Sequence, residues 1–436
     1  MNYRTIYFTF LALIIQNFSG LDGKEYLIQS INVKENRLEI IPNTDFKKSY
    51  LTENFFAIYG NDIQLNQLND SILSIPFVLS VISLVWESGQ EYYIEEMDQE
   101  LYYSLQKIKE VYKVFYRSVD WSGELIPDHL VKNELVEEKE ELITLPFSGG
   151  LDSVCTSYSH YPTKQILITY FGFSTEIWPE LQDIVRDQCF EFGQTLNYVN
   201  TFVESNFRTL INYDFLYSRH PEMKPWYVFC QESLSLAALA APILILNNCH
   251  NFQISSSMDW SFRYPFGTHP FIDNNIRFSD VKVNCFSFDL TRQDKIKKII
   301  EVSIEKELPL PKLHVCRHLS GRSCCRCIEK CMVTINGLVA EGEDPADYGF
   351  KRSFESVMKN TQKKFKKGKK IQRFYEGACG YWQSVQNRIL EKGLPSQNRD
   401  YWQWFVEVDF PSFIIHPNCY SGKEIDYDQY RYLLDE

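Results

Sequence analysis

Residues 148–153, Ser-Gly-Gly-Leu-Asp-Ser, constrain the fold of this chain more than any other stretch. The short apolar run 141–147 precedes them and the helix-forming segment 154–158 follows, so they mark a place where a strand turns into a helix. Two adjacent glycines let a backbone approach an anion closely, and the next helix directs free N–H groups and the positive end of its dipole at that anion. The stretch therefore predicts a phosphate-binding loop, in which Ser148 and Ser153 donate hydroxyls and Asp152 caps the helix or holds Mg²⁺.

An ordinary Gly-Gly turn followed by a Ser/Asp helix cap is the alternative interpretation. Two other nucleotide loops are disfavoured. No Gly-x-x-x-x-Gly-Lys-Ser/Thr run occurs, which argues against a Walker-type transfer of a γ-phosphate. No Gly-x-Gly-x-x-Gly follows a strand, which argues against a dinucleotide-binding fold.

Strand and helix patterns alternate regularly from residue 140 onwards. Strands are predicted at 142–147, 165–170, 196–202 and 252–255, and helices after the loop, at 178–192 and at 232–247. This alternation predicts an α/β fold in which a parallel sheet has helices on both faces. Ligands of such sheets bind at the carboxyl ends of the strands, where the loop is expected to lie.

The region before residue 140 carries no motif that indicates a function. Short strand-like runs and an amphipathic helix at about 97–116 predict an N-terminal α+β domain, joined to the next domain by the acidic run 134–141. Residues 1–20 have the outline of a signal peptide but lack a small residue three positions before Gly20, so a buried first strand is favoured. The apolar run 72–86 is shorter than a membrane span and is interpreted as a core element.

The composition limits the classes of function and the compartment. A net charge of −12 argues against a chain that wraps nucleic acid through bulk charge. Seven of the twelve cysteines are scattered, often among apolar neighbours, as buried reduced thiols are. This pattern indicates a reducing, cytoplasmic location.

The other five cysteines fall within one short segment. Cys316, Cys324, Cys327 and Cys331 form a Cys-x7-Cys-x2-Cys-x3-Cys array that predicts a tetrahedral zinc site, with Cys325 as an alternative to Cys324. Because four protein ligands leave no position for water, the zinc ion is expected to be structural. Metal-free cysteines or a redox pair are the alternative.

With both motifs, residues 140–340 resemble the 7-cyano-7-deazaguanine synthase family of queuosine biosynthesis, whose SGGxDS-type loop is the PP-loop of the ATP pyrophosphatases. The resemblance implies an adenine nucleotide alpha hydrolase-like PP-loop domain that uses ATP, Mg²⁺ and Zn²⁺. It implies a ligase that adenylates the carboxylate of a 7-deazaguanine and lets ammonia displace AMP, giving an amide and then, after a second activation, a nitrile. Related proteins also occur beside bacterial antiviral defence genes. The zinc segment departs from the family pattern, since three residues rather than two separate Cys327 and Cys331.

Adenylation requires groups that hold the nucleotide and stabilise the departing pyrophosphate. The residues expected to bind the nucleotide are Phe147, Ser148, Gly149, Gly150, Leu151, Asp152, Ser153 and Tyr170. Those expected to take part in catalysis are Asp152, Ser153, Arg292 and Lys295. Arg292 and Lys295 open a helix whose cations would neutralise pyrophosphate, and a solvated helix face is the alternative for them.

The predicted domains are an N-terminal α+β domain at 1–139, the PP-loop domain at 140–312, the zinc loop at 313–345 and a mainly helical region at 346–436. Lysines cluster at 363–370 in the mainly helical region, a pattern that indicates either a site for a phosphate-rich partner or a solvated linker.

The expected partners are a small deazapurine-like carboxylate and an amine donor. A tRNA, DNA or protein acceptor and a second copy of the chain are further candidates, and no membrane is expected. The alternative functions are a PP-loop enzyme of tRNA modification or sulfur transfer, and a non-catalytic binding relative.

Overall fold

The computed structural model describes residues 23–136, 140–172, 180–315, 328–365, 376–413, 429–430 and 433–434. Within these ranges the chain is an α/β protein with a nine-stranded mixed sheet, a two-stranded sheet and 15 α-helices. The predicted first strand within residues 1–20 lies outside the described residues. No helix in the described ranges is both long and apolar enough to cross a membrane.

The strands are β1 (Ile28–Lys34), β2 (Arg37–Pro42), β3 (Phe55–Ile58), β4 (Glu91–Asp98), β5 (Glu124–Val131), β6 (Leu142–Pro146), β7 (Lys164–Phe171), β8 (Val199–Ser205), β9 (Asn251–Ser255), β10 (Arg277–Phe278) and β11 (Val281–Phe286). The helices up to the middle of the chain are α1 (Thr44–Tyr50), α2 (Asp70–Leu73), α3 (Ile75–Ser88), α4 (Gln99–Phe115), α5 (Leu151–Ser159), α6 (Glu180–Leu196), α7 (Tyr213–Arg219) and α8 (Trp226–Cys230). The later helices are α9 (Glu232–Leu246), α10 (Pro270–Asp273), α11 (Arg292–Glu305), α12 (Val333–Glu341), α13 (Phe354–Lys364), α14 (Glu376–Lys392) and α15 (Arg399–Val406).

The large sheet has the order β1-β2-β3-β8-β7-β6-β9-β11-β10. Its five central strands, β8-β7-β6-β9-β11, pair in parallel, whereas β1, β2, β3 and β10 add antiparallel pairs at the two ends. The α/β class is therefore confirmed, but the sheet as a whole is mixed rather than parallel. The chain passes from β6 to β7 on one side and later returns to β9 on the other, which leaves a crevice at the carboxyl end of β6.

Two hydrophobic cores lie on opposite faces of this sheet. Adjacent side chains of β7 alternate between them, since Ile166 and Ile168 belong to one core and Leu167 to the other. Helices α3, α4 and α9 cover the first face, and α5, α11, α12, α14 and α15 cover the second. Helices thus cover both faces, as expected.

The region before residue 140 continues the sheet of the region after it. Strand β3 pairs with β8 through Ala57 and Ser205, and helix α3 packs against α9 within the first core. The run 72–86 is the buried helix α3, which tolerates Pro76 because the proline lies in the first turn, where its missing N–H breaks no helical hydrogen bond. The amphipathic segment 97–116 is helix α4. The predicted helical C-terminal region is present as α13, α14 and α15.

Candidate functional site

The glycine-rich loop joins the end of β6 to the start of α5, as the sequence predicts. Gly149 has a φ of +69°, and Gly150 is the N-cap of the helix. The backbone N–H of His314 donates to the carbonyl of Gly149 over 2.7 Å. A Cβ atom on Gly149 would lie 2.9 Å from Cδ2 of His314, so this position combines a left-handed conformation with a close approach that only glycine permits.

A cavity of about 260 Å³ opens beside this loop at the carboxyl ends of the central strands. Its walls come from the loop, from the ends of β7 and β9, from helices α6, α9 and α11, and from residues 314, 315 and 330. The predicted nucleotide-binding residues of the loop that line it are Phe147, Ser148, Gly150, Leu151, Asp152 and Ser153. The cavity lies where ligands of parallel α/β sheets bind.

Asp152 lies at the centre of a group of cations in this cavity. Lys295 Nζ is 3.3 Å from one carboxylate oxygen, and Nη1 of Arg292 is 3.8 Å from the other. The hydroxyl of Ser257 donates to the second oxygen over 3.4 Å. Burial alone would raise the pKa of Asp152, but Lys295, Arg292 and Lys330 outweigh it and hold the pKa below its ordinary value. Asp152 is therefore ionised at neutral pH.

Helix α11 places the two cations on one buried face. A capping box between Thr291 and Asp294 starts the helix. Arg292 and Lys295, three positions apart, point inwards and are 3% and 1% exposed, whereas Lys297 points to solvent. The alternative prediction, a solvated helix face, therefore holds for Lys297 but not for Arg292 and Lys295.

Arg292 has donors to spare. Its Nη2 donates to Thr334 over 2.9 Å, and its guanidinium lies over the ring of Tyr381, 5.1 Å from the centroid. Nε and Nη1 are buried and have no hydrogen-bond partner among the described residues. Nη1 has only the 3.8 Å ion pair with Asp152, and because unsatisfied buried donors are costly, an anion in the adjoining cavity is a fitting partner for Arg292.

The two aromatic candidates for adenine contact differ. Phe147 is 2% exposed, and its ring packs against Phe192 at 4.5 Å between centroids, so it contributes mainly to the core wall of the cavity. Tyr170 lines the cavity as a half-buried side chain, and its hydroxyl donates to the carbonyl of Leu236 over 2.9 Å. Tyr170 therefore offers a ring rather than a hydroxyl to a ligand.

Several lining residues have no counterpart among the predicted ones. Lys330 lies within the cysteine segment, directly before Cys331, and Glu232 and Gln188 lie on α9 and α6. His314 also lines the cavity, and burial lowers its pKa, so its ring is neutral at pH 7. No nucleotide-binding motif includes these positions, and only the fold brings them together.

The structure bears differently on the two expected metals. Mg²⁺ in proteins commonly takes one or two carboxylates together with water and substrate phosphates, and Asp152 supplies one such carboxylate, so the donor set fits a magnesium ion that arrives with a nucleotide. Cys316, Cys324 and Cys327 lie outside the described residues, while Cys331 is buried in the π-helical turn Ile328–Met332. Among the described residues, no three His, Cys, Asp or Glu side chains are grouped as metal ligands.

No protein-family model matches the chain, and no curated protein is significantly similar to it in sequence. The motifs and the geometry of the site therefore carry any assignment of function.

Proposed function

We propose that this chain is an ATP pyrophosphatase that adenylates a carboxylate on a 7-deazaguanine-like substrate and lets ammonia or another amine displace AMP. The observation that carries the proposal is the group of cations around Asp152 at the start of the glycine-rich helix, namely the buried Arg292 and Lys295 and the partly buried Lys330. Three cations outnumber the carboxylates of Asp152 and Glu232 at the cavity, which favours a ligand with several negative charges, as the phosphates of ATP have.

The charge distribution supports binding of a nucleotide with its magnesium ion. Loop N–H groups, the Ser148 hydroxyl and Arg292 line the cavity where phosphate oxygens would bind, whereas the Ser153 hydroxyl already donates to the carbonyl of Gly150 over 3.1 Å. Lys295 is bonded to Asp152 and to the carbonyl of Ser256, so it fixes the carboxylate in place. Bound Mg²⁺ would neutralise charge on the phosphates.

The proposed reaction has two steps. In the first, a carboxylate oxygen of the substrate attacks the α-phosphorus, the bond to the bridging oxygen of the β-phosphate breaks, and pyrophosphate leaves with its electron pair. Arg292 donates to the charge that develops on this leaving group. In the second step, the amine attacks the acyl carbon, the bond to AMP breaks, and the amine loses a proton.

The apolar part of the wall supports a planar organic substrate beside the phosphates. Val185, Leu236 and Ile254 lie there with the ring of Tyr170, and together they would stack on a base and limit access of water to the acyl-adenylate.

Nucleotide analysis of the purified chain with ATP, Mg²⁺ and 7-carboxy-7-deazaguanine, with and without ammonia, tests the proposal. We expect substrate-dependent AMP and pyrophosphate, an amide when ammonia is present, and a nitrile if a second ATP adenylates the amide oxygen so that it leaves with AMP. Lys295→Met should lower the rate of AMP formation about 100-fold by releasing Asp152. Lys297→Met, on the exposed face of the same helix, is the matched control and should leave the rate unchanged.

ATP that stays intact, or that yields ADP, would refute the adenylation. AMP formation with tRNA, and none with the deazaguanine carboxylate, would favour the alternative of a tRNA-modifying enzyme.

A further inference from the structure

Helix α14 of the C-terminal region brings one side chain, Tyr381, to the cation group of the cavity. Tyr381 is 2% exposed, and its ring lies under the guanidinium of Arg292 at 5.1 Å. Its hydroxyl donates to the carbonyl of Ser257 over 2.8 Å. Ser257 in turn donates its own hydroxyl to Asp152 over 3.4 Å. Tyr381 thus contacts both Arg292, a cation of the site, and Ser257, which binds the Asp152 carboxylate.

We propose that Tyr381 is a positioning residue, which holds Arg292 and Ser257 so that the spare donors of Arg292 face the phosphates of the nucleotide. The inference rests on the proposed function and assigns to the C-terminal region a direct part in it. Tyr381 does not itself contact the reacting atoms; it acts through Arg292.

The geometry around Arg292 explains why a ring is needed there. Thr334 binds one end of the guanidinium, through Nη2, whereas Nε and Nη1 make no hydrogen bond among the described residues and Nη1 lies 3.8 Å from Asp152. A single hydrogen bond does not fix the plane of a guanidinium, whereas the face of an aromatic ring restrains that plane and attracts the cation. Because the ring offers no competing hydrogen-bond acceptor, it leaves those two donors for an anion.

The hydroxyl of Tyr381 has a separate role in the same arrangement. By donating to the Ser257 carbonyl it fixes the residues that follow β9. The Ser257 hydroxyl then stays within reach of Asp152, on the side of the carboxylate opposite Lys295. Loss of the hydroxyl should therefore disturb Asp152 less than loss of the ring disturbs Arg292, since Asp152 keeps its contact with Lys295.

The test is a double-mutant cycle between Tyr381→Leu and Arg292→Gln, with the rate of AMP formation per folded molecule as the readout. Arg292→Gln should lower the rate about 100- to 1,000-fold, as loss of a transition-state donor does. Tyr381→Leu should lower it about 10- to 30-fold, as loss of a desolvated cation–π contact would. Tyr381→Phe keeps the ring and should lower the rate by less than about fivefold.

The deciding result is the double variant. If Tyr381 acts through Arg292, the double variant is no slower than Arg292→Gln alone, because the residue that tyrosine positions is already gone. A fully additive loss, or a Tyr381→Leu variant as active as wild type, would overturn the inference while leaving the proposed function intact. Wild type that forms no AMP would refute the two together.

Tyr401→Leu is the matched control for lost packing. Tyr401 is a buried tyrosine of the same hydrophobic core, on α15, and it does not line the cavity. We expect it to lower the midpoint of thermal unfolding as Tyr381→Leu does, with the rate per folded molecule within about twofold of wild type. An equal loss of rate in both leucine variants would show a general packing effect and overturn the inference.

Discussion

Substitution of Gly149 by alanine tests the idea that the loop is shaped to receive an anion. Gly149 has a φ of +69°, and an alanine there would adopt a left-handed conformation at a cost of about 1–2 kcal/mol. Its Cβ would also lie 2.9 Å from Cδ2 of His314, so the loop or the ring must shift. Such overpacking costs a further 1–3 kcal/mol or so, which brings the expected loss in the free energy of unfolding to about 2–5 kcal/mol.

The shift should also be visible in catalysis. The carbonyl of Gly149 accepts a hydrogen bond from the N–H of His314 over 2.7 Å. A shift of either residue should therefore displace the peptide groups of the loop. Misplacement of a binding loop by a fraction of an ångström to an ångström can cost about 100-fold in rate, and we expect a loss of that order in AMP formation per folded molecule.

Gly89→Ala is the matched control. Gly89 has almost the same φ, +68°, but the nearest atom to an added Cβ is the hydroxyl of Ser122 at 3.4 Å, which is an ordinary contact. This variant should lose about 1–2 kcal/mol in urea denaturation and keep the wild-type rate. A Gly149→Ala variant with the stability and rate of the Gly89→Ala variant would refute the argument from the close approach of His314.

Three other predictions concern pH, stability and metal. Burial alone would raise the pKa of Asp152, but the neighbouring cations hold it below 3.8, so the stabilisation from this carboxylate is present above that pH and is lost as the pH falls through the lowered pKa. Lys295→Met should therefore move acid unfolding, followed by circular dichroism, to higher pH; an unchanged acid midpoint would contradict this. Glu87 is fully buried and accepts hydrogen bonds from three side chains, so Glu87→Ala should lower the free energy of unfolding in urea by about 1–3 kcal/mol without changing the rate per folded molecule. Elemental analysis should find zinc in the wild type, less in Cys331→Ser and the wild-type amount in Cys230→Ser, and equal zinc in both variants would exclude Cys331 as a ligand.

Much of the fold after residue 140 follows from local patterns. The run that becomes α9 is long and rich in Ala and Leu, and the short apolar runs that become β7 and β9 are bounded by polar residues, so each element is recognisable without its neighbours. The loop at 148–153 was predictable for the same reason. Its two glycines and the strand and helix on either side of it are recognisable from adjacent residues alone.

The pairing of distant segments could not be predicted in this way. The sequence of β3 does not indicate that β3 pairs with β8. This pairing joins the N-terminal strands to the sheet and produces the mixed sheet and the shared cores. The site shows the same division. Asp152 was recognisable from its motif, whereas only tertiary contacts bring Lys330, from the cysteine segment, and Tyr381, from α14, to the site.

The pairing of β3 with β8 has a consequence for how the chain is made. Ser205 donates to the carbonyl of Phe56, which lies 149 residues earlier, so a ribosome releases the first strands long before their partner exists. Until β8 emerges, the hairpin strands β1–β3 present an open edge, and such edges invite pairing with other nascent chains. Translation of residues 140–436 alone would leave the same edge of β8 exposed permanently. The N-terminal strands thus cover an edge of β8 that would otherwise be open to pairing with other chains.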